Sequence, residues 1–365
     1  MNTEVDVVRD SSDSGVPVKP LRIGIIGCGG IAQQHISYLT KFPGVEIVCG
    51  ADIRPAALEH MRTAHGVELV YEDYNEMLRE VGDRVDAISV CTPNGVHAPA
   101  AIAAAEAGKH VLCEKPMAMN AKEAQAMADA AKKNGVEFVI GFQHRFEPRS
   151  KVLRDLVKSG AIGDVLYVRA QALRRRGIPN WGVFGQKELQ GGGPMIDIGV
   201  HILETSHSII GTPRPVSATG NTFTFMGDKK SSVVSQWPDW DWETYTVEDM
   251  AVGMIRFETG TMLTIESSFV AHIEQDVFNI QIFGTKGGAI WDGSKIYTDY
   301  NDYMINATPP FIGRWDMWEY KMRHFVEVAR DGRENEAPAE HGVMVQKMLD
   351  GVYASAAAGR EVTID

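Results

Sequence analysis

The sequence predicts two domains of different class: an α/β half built on a parallel sheet, then an α+β half whose sheet is largely antiparallel. Three observations carry this. Short apolar runs alternate strictly with helical segments from residue 21 to residue 141. That rhythm stops near residue 144, where longer β-rich segments take over. A chain of 365 residues is also long enough for about two domains, with cores that need no disulfide staples.

The elements follow in order. Residues 21–28 (LRIGIIGC) form an isoleucine-rich run, as a strand buried on both faces reads. Residues 31–41 show helical spacing, with Ile31, His35 and Tyr38–Leu39 on one side. Val45–Ala51 is a second strand ending in Asp52, and 55–65 is helical. Asp86–Cys91 is read as the third strand, 95–108 as an alanine-rich helix, His110–Cys113 as the fourth strand, 120–134 as a further helix and Val136–Gly141 as the fifth strand. Such alternation makes a parallel sheet with right-handed crossovers. A helix at 148–158 then precedes an alternating strand, Val165–Arg174. β-rich segments follow at 216–225, 250–257, 261–271 and 277–291, and helices return at 314–330 and 340–357. Glu258-Thr259-Gly260 places a glycine for the positive φ of a tight hairpin. The expected organisation is a mobile tail over 1–20, a first domain over 21–143 and a second over 144–365.

Composition limits the function. Hydrophobic residues are 44% and charged residues 23%, as in an ordinary folded protein. The net charge is 36 basic minus 48 acidic residues, or −12, which excludes a general nucleic-acid binder. Cys28, Cys49, Cys91 and Cys113 lack metal-site spacing and are too few for a disulfide scaffold. They read as small buried hydrophobes in a reducing compartment. The first twenty residues lack a basic segment followed by an apolar one, and no apolar run reaches the ~18 residues of a membrane span. A cytoplasmic protein, not held in a membrane, is expected.

Gly27-Cys28-Gly29-Gly30-Ile31-Ala32 is a G-x-G-x-x-A pattern between the first strand and the first helix. Gly27 allows the tight turn, Gly29 lets a pyrophosphate approach the backbone, and Ala32 lets helix and strand pack closely. Gly30 and Ile31 open the helix, whose N-terminus attracts phosphate. Asp52 ends the next strand about twenty residues on, where a ribose-binding acid belongs. The expected cofactor is NAD, because Asp52 repels a 2′-phosphate. Arg54, two residues on and beyond Ile53, leaves NADP as the lesser alternative. A structural turn without a ligand is the competing reading.

Further on stand Cys91-Thr92-Pro93-Asn94-Gly95-Val96-His97, Glu114-Lys115-Pro116, and Gly191-Gly192-Gly193-Pro194-Met195-Ile196-Asp197-Ile198-Gly199-Val200-His201. In this order after the glycine turn, they resemble the motifs of the Gfo/Idh/MocA family of oxidoreductases, and the resemblance covers nearly all the chain from residue 21. It implies an N-terminal Rossmann fold and an α+β C-terminal domain with a large, open, mainly antiparallel sheet. One face of that sheet would carry the active site and the other an oligomer interface, giving a homo-oligomer (dimer or tetramer). The implied reaction is hydride transfer between NAD(P) and a carbinol carbon of a sugar, glycoside or cyclitol. Lys115, Asp197 and His201 match the family's catalytic positions. Thr92, Pro93, Asn94, His97, Glu114 and Lys115 lie where cofactor contacts are implied. Glu204 departs from the aspartate often found there and receives no role.

Chemistry gives the same residues a rationale. His201 can take a hydroxyl proton near neutral pH. Asp197, four residues earlier, would share its helical face and orient it. Lys115 can donate to the substrate oxygen. The three glycines would let nicotinamide or substrate lie against the backbone. Alternatives are a surface ion pair, or a metal held by Asp197, His201 and Glu204; the latter lacks a further motif, so no metal is expected. His144 and Arg145 are candidates to face substrate or to bridge the domains. Arg174 and Arg176, on one face of a strand, could bind an anion or form a solvated edge. Trp181, Trp237, Trp240 and Trp242 could stack on sugar or pack in loops. The segment from Arg174 to Gly193 looks closest to enzymes oxidising C3 of a glucoside. Two rivals remain: a glycoside hydrolase using transient C3 oxidation with tightly held NAD, and a non-catalytic NAD sensor.

Overall fold

The computed structural model describes residues 19–313 and 316–365. Most of the tail expected over 1–20 lies outside the described residues, as do the first two positions of the helix expected at 314–330.

The first sheet is parallel. Its elements are β1 (Leu21–Ile26), α1 (Gly30–Leu39), β2 (Val45–Ala51), α2 (Pro55–His65), β3 (Leu69–Tyr71), α3 (Tyr74–Val81), β4 (Ala87–Val90), α4 (Asn94–Glu106), β5 (His110–Cys113), α5 (Ala121–Asn134) and β6 (Phe138–Ile140). The strand order is β3-β2-β1-β4-β5-β6. The direction of connection therefore reverses between β1 and β4, where doubly wound sheets bind ligands. Central strands read as apolar runs because helices cover both faces: Ile23, Ile25, Ile88 and Val111 are completely buried. Truncating Ile25 to Ala would cost about 2–5 kcal/mol. β3 and α3 were not expected. β3 has three residues, too short for a periodic signal, and α3 is a single amphipathic stretch started by Asp73, which accepts from the Asn75 N–H.

The second domain continues with α6 (Pro148–Lys158), β7 (Val165–Leu173), α7 (Lys187–Gln190), α8 (Val200–Ile209), β8 (Pro215–Phe223), β9 (Met250–Phe257), β10 (Met262–Ser268), β11 (Val277–Gly284), β12 (Gly287–Ile290), β13 (Lys295–Tyr300), β14 (Tyr303–Ala307), α9 (Met317–Asp331), α10 (Ala339–Ala358) and β15 (Val362–Thr363). Nine strands form one sheet in the order β14-β13-β12-β11-β7-β10-β9-β8-β15. Neighbours are antiparallel except β7 and β10, which run parallel. Val168, Ala170, Ala172, Leu263, Ile265, Ile280 and Ile282 are buried on its inner face. There α8 packs on β7 and β11, and α10 on β8 and β9. Gly260 has φ +86° in the β9–β10 turn.

Two differences from the sequence reading matter for the site. The helix carrying Asp197 opens with a π turn, Met195–Gly199, before α8 begins. Also, β7 stops at Leu173, so Arg174, Arg175 and Arg176 lie in a bend and not on alternating strand faces.

Helix α9 crosses back. Met322, Phe325 and Val326 share one buried cluster with Leu21, Ile23, Ile36 and Leu39. The sheets divide on either side of residue 144, but the first core is completed from residues 317–331. Among the described residues, no helix is long and apolar enough to cross a membrane.

Candidate active site

The glycine turn sits at the point where the sheet's connections reverse. Gly27 has φ +85° and its N–H donates to the Ala51 carbonyl at 2.8 Å. A Cβ there would lie 2.7 Å from the Cys91 and Thr92 backbone, so the turn closes against the loop after β4. At Gly30 a Cβ would meet nothing within 4 Å, which leaves open space above the start of α1. That helix has no side-chain cap, so its first N–H groups are available to an anion. Ile31 turns its side chain toward the first-domain core.

Asp52 accepts from the Cys28 N–H (2.8 Å), the Arg54 N–H (2.9 Å), Arg54 Nε (3.0 Å) and Arg54 Nη2 (2.9 Å). Burial pushes its carboxyl up, and the bonds from Arg54 and Cys28 more than reverse this, holding it below the usual range. Ile53 is 85% exposed beside it. Across the turn, Thr92 Oγ1 is buried with no partner. Pro93 precedes α4 as its cap residue. An anion-ready helix start, an ionised carboxylate and an orphaned hydroxyl around one open space fit a dinucleotide.

Lys115 follows β5 and forms a cis peptide bond with Pro116. Its Nζ donates to the Asp197 carbonyl at 2.9 Å and to Asp197 Oδ1 at 3.3 Å. His201 lies in the first turn of α8, 9% exposed, with Nδ1 buried and without a partner. Burial, then the charge of Lys115, then His144 lower its pKa well below the ordinary histidine value. The ring is a neutral imidazole, the form a general base needs. Its neighbour is His144, ring centroids 5.0 Å apart and edge to face. His144 in turn rests against Phe278 at 5.1 Å and hydrogen-bonds through Nδ1 to the Glu147 carboxylate.

The expected Asp197–His201 pairing is corrected. Asp197 gives its carboxylate to Lys115, and no hydrogen bond joins it to His201 among the described residues. The π turn between them widens the helix, so a four-residue spacing no longer stacks the two side chains.

Other expected contacts belong to the scaffold. Arg145 is 1% exposed and does not face the cleft. Its Nε donates to Glu204 Oε2 at 3.1 Å, and its Nη1 to the Glu336 carbonyl at 2.7 Å. This also gives Glu204 its partner and takes it out of the metal alternative. His97 puts both ring nitrogens against carbonyls, Pro116 and Thr92, each at 2.8 Å, and ties those two loops together. It has no ring nitrogen left for the cofactor. Glu114 is buried under the turn, where Oε1 receives His35 Nε2 at 2.7 Å and Lys321 Nζ at 2.5 Å. Asn94 Nδ2 donates to the Gln190 carbonyl at 3.0 Å and links the domains. The space beside Gly192 and Gly193 is filled by Tyr353 and by Glu248, not left for a ligand.

Arg174 lies just past the end of β7, where its N–H donates to the Ser268 carbonyl at 2.9 Å. Burial lowers its pKa, and the charges of Asp197 and Asp276 act against this. Its Nη1 donates to the Gly177 carbonyl at 2.9 Å, and its guanidinium lies over Trp237 at 4.8 Å. Arg176 is half-buried, with Nη1 buried and unpartnered. Trp181 is 50% exposed. Glu147, Phe278 and Trp291, whose ring lies 6.2 Å from that of His144, were not singled out from sequence. Only Glu147, three residues after His144, carried a local signal.

Comparison with known proteins gives the family and the fold. Residues 21–142 match a family described as oxidoreductases with an NAD-binding Rossmann fold. Residues 151–290 match the GFO/IDH/MocA C-terminal domain. A D-glucoside 3-dehydrogenase of Escherichia coli (strain K12) is 37% identical over 353 residues, covering 96% of this chain and 99% of that protein. A myo-inositol 2-dehydrogenase of Thermotoga maritima is 28% identical, covering 89% and 92%. The crystal structure of an oxidoreductase domain protein from Kribbella flavida superposes with a TM-score of 0.82 at 27% identity, covering 95% of this chain and all (100%) of that one.

Proposed function

This chain belongs to the Gfo/Idh/MocA family of NAD-binding oxidoreductases, and on that premise we propose that it oxidises a ring hydroxyl of a sugar, specifically C3 of a glucoside. One observation supports this above the others. A buried neutral imidazole, His201, stands in one cluster with Lys115 and Asp197, on the ligand-binding side of the parallel sheet. The relative at 37% identity is a D-glucoside 3-dehydrogenase, and that supports the choice of carbon.

When bound, NAD supplies the hydride acceptor. His201 takes the hydroxyl proton. Its low pKa keeps it free of a proton at neutral pH. Lys115 Nζ donates to the same oxygen and favours the negative charge growing there. Asp197 fixes the ammonium through two oxygens, and His144, oriented by Glu147, packs against the base. Asp52, held ionised, favours the free ribose hydroxyls of NAD over a 2′-phosphate. Thr92 Oγ1 is the nearby hydroxyl that a bound dinucleotide would satisfy.

We assign self-association to the outer face of the nine-stranded sheet. There Tyr167 and Phe283 stack at 5.4 Å beside the Arg169–Glu266 ion pair. Sedimentation velocity tests that assignment.

The reaction is tested by incubating the protein with NAD and methyl glucoside. Absorbance of reduced cofactor and identification of a 3-ketoglucoside are expected. Methanol release with no net reduction of NAD would instead indicate hydrolysis. No reaction on any glucoside, with NAD still bound, would overturn the proposal.

A further inference from the structure

We propose that Trp181, Trp237 and Phe184 form a wall that receives a flat, apolar aglycone, so that the substrate is a glucoside bearing a ring-containing group and not a free sugar. This rests on the reading of the site as one that oxidises a glucoside.

The wall begins at the reacting cluster. The Arg174 N–H donates to the Ser268 carbonyl at 2.9 Å, next to Ser267, whose Oγ donates to the Pro194 carbonyl at 2.8 Å at the start of the turn bearing Asp197, and the Arg174 guanidinium covers the Trp237 ring at 4.8 Å. Trp237 meets Trp181 edge to face at 4.8 Å, and Trp181 meets Phe184 at 6.0 Å. From Arg174 the rings follow one another in the order Trp237, Trp181, Phe184. The run ends on Trp181, half of whose surface is open.

Two distant segments build this wall, and both are fixed. Asn180 Nδ2 donates to the Pro238 carbonyl at 2.7 Å. The Thr246 N–H donates to the Gly185 carbonyl at 2.8 Å, and the Lys187 N–H to Thr246 Oγ1 at 2.9 Å. The second segment is anchored at its base by Asp249. Its Oδ2 accepts three successive N–H groups, from Phe225, Met226 and Gly227, at 2.9, 2.7 and 2.8 Å. Trp240 Nε1 donates to the Gly227 carbonyl at 2.8 Å. Such anchoring presents the rings with little ordering entropy left to lose on binding.

The wall's chemistry selects its occupant. Asn180 and Thr246 use their side chains to join the two segments. What faces outward is aromatic surface, which suits a flat apolar group. A second sugar is the competing occupant, and cellobiose tests it.

The test compares phenyl glucoside, methyl glucoside and cellobiose, in the wild type and in Trp181→Ala and Trp181→Phe, with tryptophan fluorescence in the presence of NAD as a binding readout. Trp181→Ala is expected to raise KM for phenyl glucoside about tenfold. It should leave kcat, and KM for methyl glucoside and NAD, nearly unchanged, and Trp181→Phe should restore most of the loss. Equal losses on methyl and phenyl glucoside overturn the proposal, as does an effect on cellobiose alone. A change in oligomeric state with no change in KM also overturns it. If no glucoside is oxidised but phenyl glucoside still quenches fluorescence saturably, and Trp181→Ala abolishes this, the reaction assignment fails while the subsite stands.

Discussion

The ammonium of Lys115 reaches Asp197 twice, at the main-chain oxygen (2.9 Å) and at Oδ1 (3.3 Å). One residue comes from the end of a strand in the first domain and the other from the π turn of the second. The pair thus holds the Lys115 ammonium and joins the two domains at the same point. Lys115→Met should lower kcat on the order of 100–1,000-fold, with NAD affinity little changed. Steady-state kinetics beside NAD titration measure both. A variant within threefold of wild type would remove Lys115 from the chemistry.

The pH profile should carry the mark of His201. Its pKa lies well below the ordinary value of about 6.5. The ring therefore stays neutral, and with His201 as the proposed base kcat/KM should hold steady as pH falls through that value, dropping only at lower pH. Lys115 is one of the charges that depress it. The residual activity of Lys115→Met should accordingly show its acid limb displaced upward. An acid limb at the same pH in both proteins would contradict this.

Arg145 and Glu204 form a fully buried pair, 1% and 0% exposed. Burial lowers the pKa of the first and raises that of the second, so desolvation outweighs their attraction. Removing one partner alone, as in Arg145→Met, should destabilise by about 3–5 kcal/mol. The double variant Arg145→Met/Glu204→Met should lose less than the sum. Denaturant melts read this out. KM for the sugar should stay near wild type in folded protein, because Arg145 does not reach the cleft.

Stability should fall with mild acid. Burial lowers His35 and His341 to about 4 and His207 to about 3. In the unfolded chain each titrates near 6.5. Their contribution is therefore complete above about pH 6.5 and is lost as pH falls toward 4, because the unfolded state takes up protons first. Each such group contributes up to about 1.4 kcal/mol per pH unit in that window. Melting temperatures across it should drop, and His341→Gln should flatten the slope by one proton's worth.

Cofactor preference should follow the Asp52–Arg54 clasp. Asp52→Ser removes the carboxylate and frees the guanidinium now held by it. KM for NAD should rise, and the ratio of kcat/KM for NAD over NADP should fall. An unchanged ratio would mean that the ribose lies elsewhere.

Much of the fold was legible in the sequence because local pattern determines it. β2, β5, β9 and the helix at 148–158 have the bounds that their apolar runs and caps announce. β13 and β14 escaped notice because β14 is exposed throughout and has no buried side to create an alternation. In the site, the place of Lys115 just after a strand was legible. The partners of Asp197 and Arg145 were not. The first depends on a π turn that no spacing rule anticipates. The second joins residues 59 positions apart, a contact made only when α8 packs against the turn after β6. Arg174 is conspicuous for its charge, but its place over Trp237 depends on a segment far along the chain.

Helix α9 has a consequence for how the molecule can be handled. The cofactor half is the first to leave the ribosome, yet Met322, Phe325 and Val326 belong to its core, and Lys321 neutralises its buried Glu114. Until those residues are synthesised, α1 has an uncovered apolar side and Glu114 lacks its ammonium partner. A fragment cut at residue 144, or a chimera that exchanges the second half, would inherit both defects. The dinucleotide domain is contiguous on paper and circularly dependent on its own far end in space.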